Sequence, residues 1–296
     1  MKKSLSNYKK NFFSQNGEDG IIQETLKRIG NSIDRQCCEV GAFDGMHLSN
    51  TYNLIKKKKY KALLIESNKK TYNKLLKNIP DNKIIKINEA VGFEQKNKLD
   101  FFLDKYNFNK DFDFLSIDID GADYHVFKDL NIYKPKLICI EFNYTIPNDV
   151  IFIQEKKIKI NQGSSAAALI NLAKEKEYYP IAATFCNLFF IHKKYKKSVI
   201  GPEEILINKL INDSFYKISI FIGFDGSINL SKELNLIWHG IKNVKLNFLP
   251  TIIQKYPPNY NFIEKILYYL FLLYNNPIKF FNNPWKYIKK IFYEKD

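Results

Sequence analysis

QCCEVGAFDGMHLSNT, residues 36–51, is the stretch on which the fold turns. Cys37, Cys38 and Val40 form a short apolar run that carries one acid, Glu39. The run breaks into Gly41-Ala42-Phe43-Asp44-Gly45, and an amphipathic segment starts near Leu48. This is the pattern of a strand that ends in a glycine-bearing turn and feeds a helix. Glycines let a backbone approach a ligand closely, and a helix that opens there leaves N–H groups directed at the same spot. Glu39 adds a carboxylate near the strand's carboxyl end, the side on which open α/β sheets bind ligands. A tight turn needs glycine with or without a ligand, so this stretch alone reads equally as structure or as site.

The flanking sequence repeats the cadence. Upstream, apolar residues at 21, 22, 26 and 29 predict a helix, with Ser14 or Asn16 as its cap and Glu18 and Asp19 in its first turn. Downstream, a helix over 48–58 ends in lysines, and a strand over 62–65 closes on Glu66. A helix over 71–78, a strand over 84–87 and a further extended run over 99–103 follow. Residues 112–119 form an apolar strand interrupted by Asp113 and Ser116, opening into Asp118-Ile119-Asp120-Gly121. A helix over 122–130 leads to a strand over 137–140, closed by Glu141-Phe142-Asn143. Alternation of this kind predicts a mostly parallel, covered sheet. Four strands carry an acid at the carboxyl end (Glu39, Glu66, Asp118 and Glu141), which a ligand crevice explains and packing does not.

Residues 144–162 lack a period and contain Pro147, so they read as a long loop over the top of the sheet. A helix over 164–176, capped by Ser164 or Ser165, precedes two strands over 179–192 joined at Cys186-Asn187, an antiparallel hairpin closing the sheet. Domain boundaries are set at 1–198 and 199–296. The second part offers a helix over 203–211 and an apolar, aromatic segment from Asn261 onward.

With 296 residues, 45% of them hydrophobic, the chain can bury a sizeable core. Its formal charge of +15 comes mostly from lysine. Rich use of Lys, Asn and Ile also fits a compositional bias that needs no acidic partner, and no motif sets aromatics and basics on one strand face as a nucleic-acid surface would. No nucleic acid is expected. The four cysteines form no C-x-x-C pair and read as small buried residues of a reducing compartment. The charged N-terminus lacks an apolar signal core, so the expected location is cytoplasmic.

In their order and spacing the motifs resemble the FkbM-type methyltransferases, a Rossmann-like class that uses S-adenosylmethionine. The resemblance rests on Ser14-Gln15-Asn16-Gly17-Glu18-Asp19, on Glu39-x-Gly41-x-x-Asp44-Gly45 followed by Asn50-Thr51, on Ser116 to Tyr124, and on Glu141-Phe142-Asn143. It covers roughly residues 12–192 and implies an α/β fold of mostly parallel strands closed by an antiparallel hairpin; the C-terminal helical and aromatic extension is read from the residues alone and matches nothing in the family. It also implies a cofactor site of Gln15, Glu39, Gly41, Ala42, Asp44, Asn50, Thr51, Glu66, Ser67 and Asp118. In that site Glu39 lies near the methionine ammonium group and Glu66 on the ribose hydroxyls. Asp118 and Asp120 are the catalytic candidates, and a sugar or glycan hydroxyl is the expected methyl acceptor.

Asp118, Asp120, Glu141 and Asn143 could together hold a divalent cation such as Mg²⁺ or Mn²⁺. They could equally do acid–base work or hydrogen-bond a sugar. Two alternative functions remain at this level: a metal-dependent glycosyltransferase built on Asp118-Ile119-Asp120, and a non-catalytic binding module. His125 reads as a packing residue. From Asn261 onward, Phe262, Ile263, Ile266, Leu267, Leu270 and Phe271, then Trp285 and Phe292 among Lys279, Lys286, Lys289 and Lys290, suit peripheral contact with a membrane surface.

Overall fold

The structure is a computed structural model, and it describes residues 2–275, 277–282 and 285. The chain forms two compact units, residues 1–217 and 218–296. The first is built on a seven-stranded sheet of order β3-β2-β1-β4-β5-β7-β6. Its strands are β1 Gln36–Val40, β2 Lys61–Ile65, β3 Ile85–Ile87, β4 Phe114–Ile117, β5 Leu137–Glu141, β6 Tyr178–Ala183 and β7 Asn187–His192. β1 to β5 pair in parallel. β7 inserts antiparallel between β5 and β6, so the expected hairpin does close the sheet.

The apolar strands are buried on both faces. Cys38, Val40, Leu63, Ile65, Leu115 and Ile117 face one core, while Cys37, Ala62, Leu64, Phe114 and Cys139 face the other. Helices α1 Glu18–Ile29, α2 Tyr52–Lys58, α3 Lys69–Asn78 and the later α7 Lys193–Val199 give apolar residues to the second core. Helices α4 Leu99–Lys105, α5 Asp123–Asp129 and α6 Ala166–Glu175 cover the first. All four cysteines are free and buried, as their apolar settings imply. Because β1 lies between β2 and β4, the connections leave it in opposite directions and open a crevice at the carboxyl ends of β1 and β4.

Three elements differ from the sequence reading. Residues 99–105 are helical, not extended: Leu99, Phe102 and Leu103 share a helix face, and Phe101 points outward. The buried Asp100 carboxylate fixes this helix by accepting the N–H groups of Asn131, Ile132 and Tyr133. Helix α2 begins at Tyr52 and not near 48, because residues 44–51 form side-chain-bound turns. The helix expected over 203–211 shrinks to α8 Ile207–Leu210.

Residues 144–162 contain no regular element, as expected, but they are anchored. Gln154 is buried; its Oε1 accepts the Gln162 and Gly163 N–H groups, and its Nε2 donates to the Ile160 carbonyl. Helix α6 starts where Ser165 caps it, accepting the Ala168 N–H.

The second unit has a small hairpin, β8 Ile220–Ile222 with β9 Ile228–Leu230, and helices α9 Phe262–Asn275 and α10 Pro277–Phe281. No described helix is long and apolar enough to cross a membrane. The lysine and aromatic residues expected at an interface over 286–292 lie outside the described residues.

Candidate active site

The turn after β1 is shaped by its neighbours. Gly41 has φ +85°, and a Cβ placed there would lie 1.7 Å from the Asp118 carbonyl oxygen. Only glycine lets the end of β1 pass so close to the end of β4. The Gly41 and Ala42 N–H groups both donate to the Ile65 carbonyl at 3.0 Å, which draws the turn against the tip of β2. There Glu66 Oε2 accepts the Phe43 N–H at 2.8 Å and Oε1 accepts the Asn68 N–H at 2.6 Å. Each oxygen keeps a lone pair, so this carboxylate beside a glycine turn fits two adjacent hydroxyls such as a ribose presents. Ser67 is exposed next to it, its carbonyl held by Asn88. Asp44 is committed to the turn, accepting the Met46 and His47 N–H groups.

Glu39 serves the loop that follows. It is buried, and it accepts from Ser49 Oγ at 2.7 Å, the Asn50 N–H at 2.7 Å and Thr51 Oγ1 at 2.5 Å. Burial pushes its carboxyl up to about 7, with those three bonds opposing and the Asp118 charge adding to the rise. Asn50 carries the link onward, donating to Ser116 Oγ on β4 at 3.0 Å. Replacing Glu39 with Ala strands three buried donors. Urea melts are expected to show a loss of about 2–4 kcal/mol, whereas a purely cofactor-contacting residue would leave the apo protein's stability intact.

The Ser14–Asp19 element is a folded clasp. Asp19 Oδ2 accepts the N–H groups of Phe12, Phe13 and Ser14, and Ser14 Oγ accepts the Asp19 N–H in return. The N-cap position itself belongs to Gly17, although Ser14 satisfies one N–H of the first turn. Glu18 is fully buried and accepts the Gln15 and Asn16 N–H groups. Gln15 is thereby held at the surface of the clasp. Asn16 reaches Cys186, and Asn187 reaches Glu18, so the clasp closes on the turn between β6 and β7.

At the ends of β4 and β5, oxygens of Asp118, Asp120 and Glu141 all lie within 4.8 Å of one another. Asp120 is exposed and the other two are half-buried. Burial first, then the neighbouring Asp118, Asp123 and Asp120 charges, push Glu141 up to about 10. It is protonated at neutral pH and hydrogen-bonds Asp118. Asp118 rises less, to about 6, because burial and the Asp120 charge raise it while the Glu141 hydrogen bond lowers it. The site thus holds one carboxylic acid and one carboxylate side by side. Asp123, buried in the first turn of α5, accepts the Ile119 and Gly121 N–H groups and shapes the turn. Asp120 adopts a left-handed φ of 57°, and Asn161 holds its carbonyl.

Asn143 is committed to other partners. Its Oδ1 accepts from the Thr145 N–H and hydroxyl, and its Nδ2 donates to the Gln162 carbonyl. Its amide is spent on tethering the long loop, so the four-ligand set expected for a cation is reduced to three carboxyls. His125 packs against Phe93 and Tyr124 and meets the Gln154 carbonyl, in keeping with a packing role.

The sequence reading missed the other wall of the crevice. Asn187 on β7 stands directly opposite Glu141 on β5. Beside them Tyr144 and the exposed Phe185 meet with ring centroids 4.1 Å apart, and Tyr216 approaches Tyr144 at 5.4 Å. Burial first, then the neighbouring Tyr216, Cys186 and Glu141, push the Tyr144 hydroxyl up. An exposed phenylalanine at a hairpin turn was the one signal in the sequence.

Residues 94–156 match the family model described as the Methyltransferase FkbM domain. Over that stretch the chain is similar to the family whose motifs its sequence resembles. No curated protein matches the chain. Among solved structures it is similar to a Galdieria sulphuraria chain assigned as a sarcosine dimethylglycine methyltransferase, at 15% identity, 55% of this chain, 62% of that chain and TM-score 0.37. It is also similar to an S-adenosylmethionine-dependent methyltransferase from Clostridium acetobutylicum ATCC 824, at 9% identity, 59% and 90% coverage and TM-score 0.38. A third is the O-methyltransferase from Bacillus cereus in complex with SAH, at 13% identity, 63% and 85% coverage and TM-score 0.37.

Proposed function

We propose that the chain methylates a hydroxyl oxygen of a sugar or glycan precursor. The observation that carries this reading is the pairing, across one crevice, of the Asp118–Asp120–Glu141 carboxyls with the Tyr144–Phe185 ring pair. Carboxyl groups bind and deprotonate hydroxyls, and an exposed ring offers a flat apolar face to the C–H side of a pyranose.

S-adenosylmethionine, when bound, supplies an electrophilic methyl group on a sulfonium. The chain's own part is positioning and proton removal. Gly41 and Glu66 shape the cofactor side of the crevice. Above pH 6 Asp118 is ionised and takes the proton of the acceptor hydroxyl as the O–CH₃ bond forms and the S–CH₃ bond breaks. Glu141, protonated, keeps a hydrogen bond on Asp118 and orients it. Asp120, exposed, is free to accept from a neighbouring hydroxyl.

The matched domain favours methyl transfer over the sugar-nucleotide alternative. A cation is the second reading the cluster supports, through its three convergent oxygens. The proton between Glu141 and Asp118 would then have to leave. Labelled methyl transfer from S-adenosylmethionine to a panel of free sugars and sugar nucleotides tests the function, and label in an ether-linked methyl is the expected product. Label appearing only on nitrogen or sulfur acceptors would refute it. Turnover undiminished by EDTA removes the cation version. Phe185→Ala is expected to raise the acceptor KM about tenfold while leaving S-adenosylmethionine affinity unchanged.

A further inference from the structure

We propose that the second unit docks the protein on an anionic phospholipid surface. Among its described residues only Ile253 and Tyr260 are buried hydrophobics. Many of its other large apolar side chains stand in solvent: Phe224 is 91% exposed, Ile222 75%, Trp238 68% and Ile263 67%. Apolar exposure on this scale marks an interaction surface.

The hairpin shows how such a surface is presented. Between β8 and β9 the chain turns through Gly223-Phe224-Asp225-Gly226, closed by the Gly223 N–H on the Ser227 carbonyl and the Gly226 N–H on the Gly223 carbonyl. Asp225 Oδ1 accepts the Ser227 N–H and hydroxyl, which tightens the turn. Phe224 is thereby held at the tip of a fixed loop, flanked by the exposed Phe221 and Ile222. Phe224 meets the Tyr256 ring, the Ile228 N–H donates to Asn247 Oδ1, and Phe248 packs on Phe271 of α9, so hairpin and helix belong to one small body.

Charge decides between a bilayer and a protein partner. Residues 218–296 hold ten lysines and no arginine against five acids. Lysine is depleted at protein interfaces, whereas aromatics at headgroup depth with lysines beside them suit an anionic leaflet. Helix α9, with 14 residues, is too short to span the hydrocarbon. It suits lying on the surface instead.

Both tryptophans of the chain, Trp238 and Trp285, belong to this unit, so the full-length protein reports on itself. Flotation and tryptophan emission are measured with vesicles of phosphatidylcholine alone and of phosphatidylcholine mixed with phosphatidylglycerol. Binding and a blue shift are expected with the mixed vesicles, weakening as salt rises. Phe224→Glu alters a side chain that stands almost wholly in solvent and meets the Tyr256 ring at 6.3 Å, and it is expected to weaken partitioning about tenfold while leaving the thermal melt of the lipid-free protein in place. Any of three results overturns the proposal: protein that stays in solution with unshifted emission, equal binding to both vesicle types, or Phe224→Glu binding like wild type. A lipid-free blue shift that grows with protein concentration alongside a sedimenting dimer would assign the surface to a second copy instead.

Discussion

Asp118→Asn is expected to lower turnover about 10³-fold, the range lost when a positioned general base is removed, while S-adenosylmethionine binding and folding persist. The amide keeps the shape of the side chain and can still meet Glu141, but it cannot take a proton. Folding should not suffer, because Asp118 is a partly desolvated charge beside two other acids. The wild-type rate should rise with pH through about 6, where Asp118 ionises, and then level. The sign follows from the base acting only when deprotonated, and burial places that midpoint above the usual carboxylate range. Steady-state kinetics across pH 5–8, with calorimetric titration of the variant, separates this from a structural role. Loss of cofactor affinity equal to the loss of rate would make Asp118 a binding residue.

Gly41→Ala is expected to be the most damaging single-methyl change, destabilising the protein by about 3–5 kcal/mol. Two costs combine. A side chain at φ +85° is strained by about 1–2 kcal/mol, and the new Cβ would have to displace the Asp118 carbonyl from 1.7 Å. Gly30→Ala isolates the first cost: Gly30 has φ +76°, with nothing within 4 Å of the added atom. Urea melts of the two variants should differ by at least 2 kcal/mol. Equal losses would show that the β1 turn relaxes freely and that its approach to β4 is not fixed.

The centre of the sheet was legible because β1, β2, β4 and β5 are short apolar runs, each carrying an acid at its carboxyl end, and burial on both faces leaves such runs few other places. Residues 99–103, LDFFL, were not, since Leu99, Phe101 and Leu103 alternate as a strand while Leu99, Phe102 and Leu103 also fit a helix face. The choice is made by Asp100, which binds N–H groups some thirty residues away, a contact no local window contains. The carboxyls of the site were legible for the same reason as the strands. Their state was not: that Glu141 keeps its proton depends on Asp118, Asp120 and Asp123 converging in space. Asn143 adjoins Glu141 in sequence yet turns to Thr145 and Gln162, and it is Asn187, brought by the antiparallel β7, that faces Glu141. The motif acids Glu39, Glu18 and Asp19 hold loops through backbone N–H groups, which motif spacing alone could not separate from ligand contact.

The most direct measurement is isothermal titration of the full chain with S-adenosylmethionine and S-adenosylhomocysteine, wild type beside Glu66→Ala. One molecule bound per chain is expected, with the variant weaker by about 1–3 kcal/mol for the lost charged hydrogen bonds. No heat from wild type at saturating concentrations of either compound would contradict the reading of the β1–β4 crevice as a methyl-donor site.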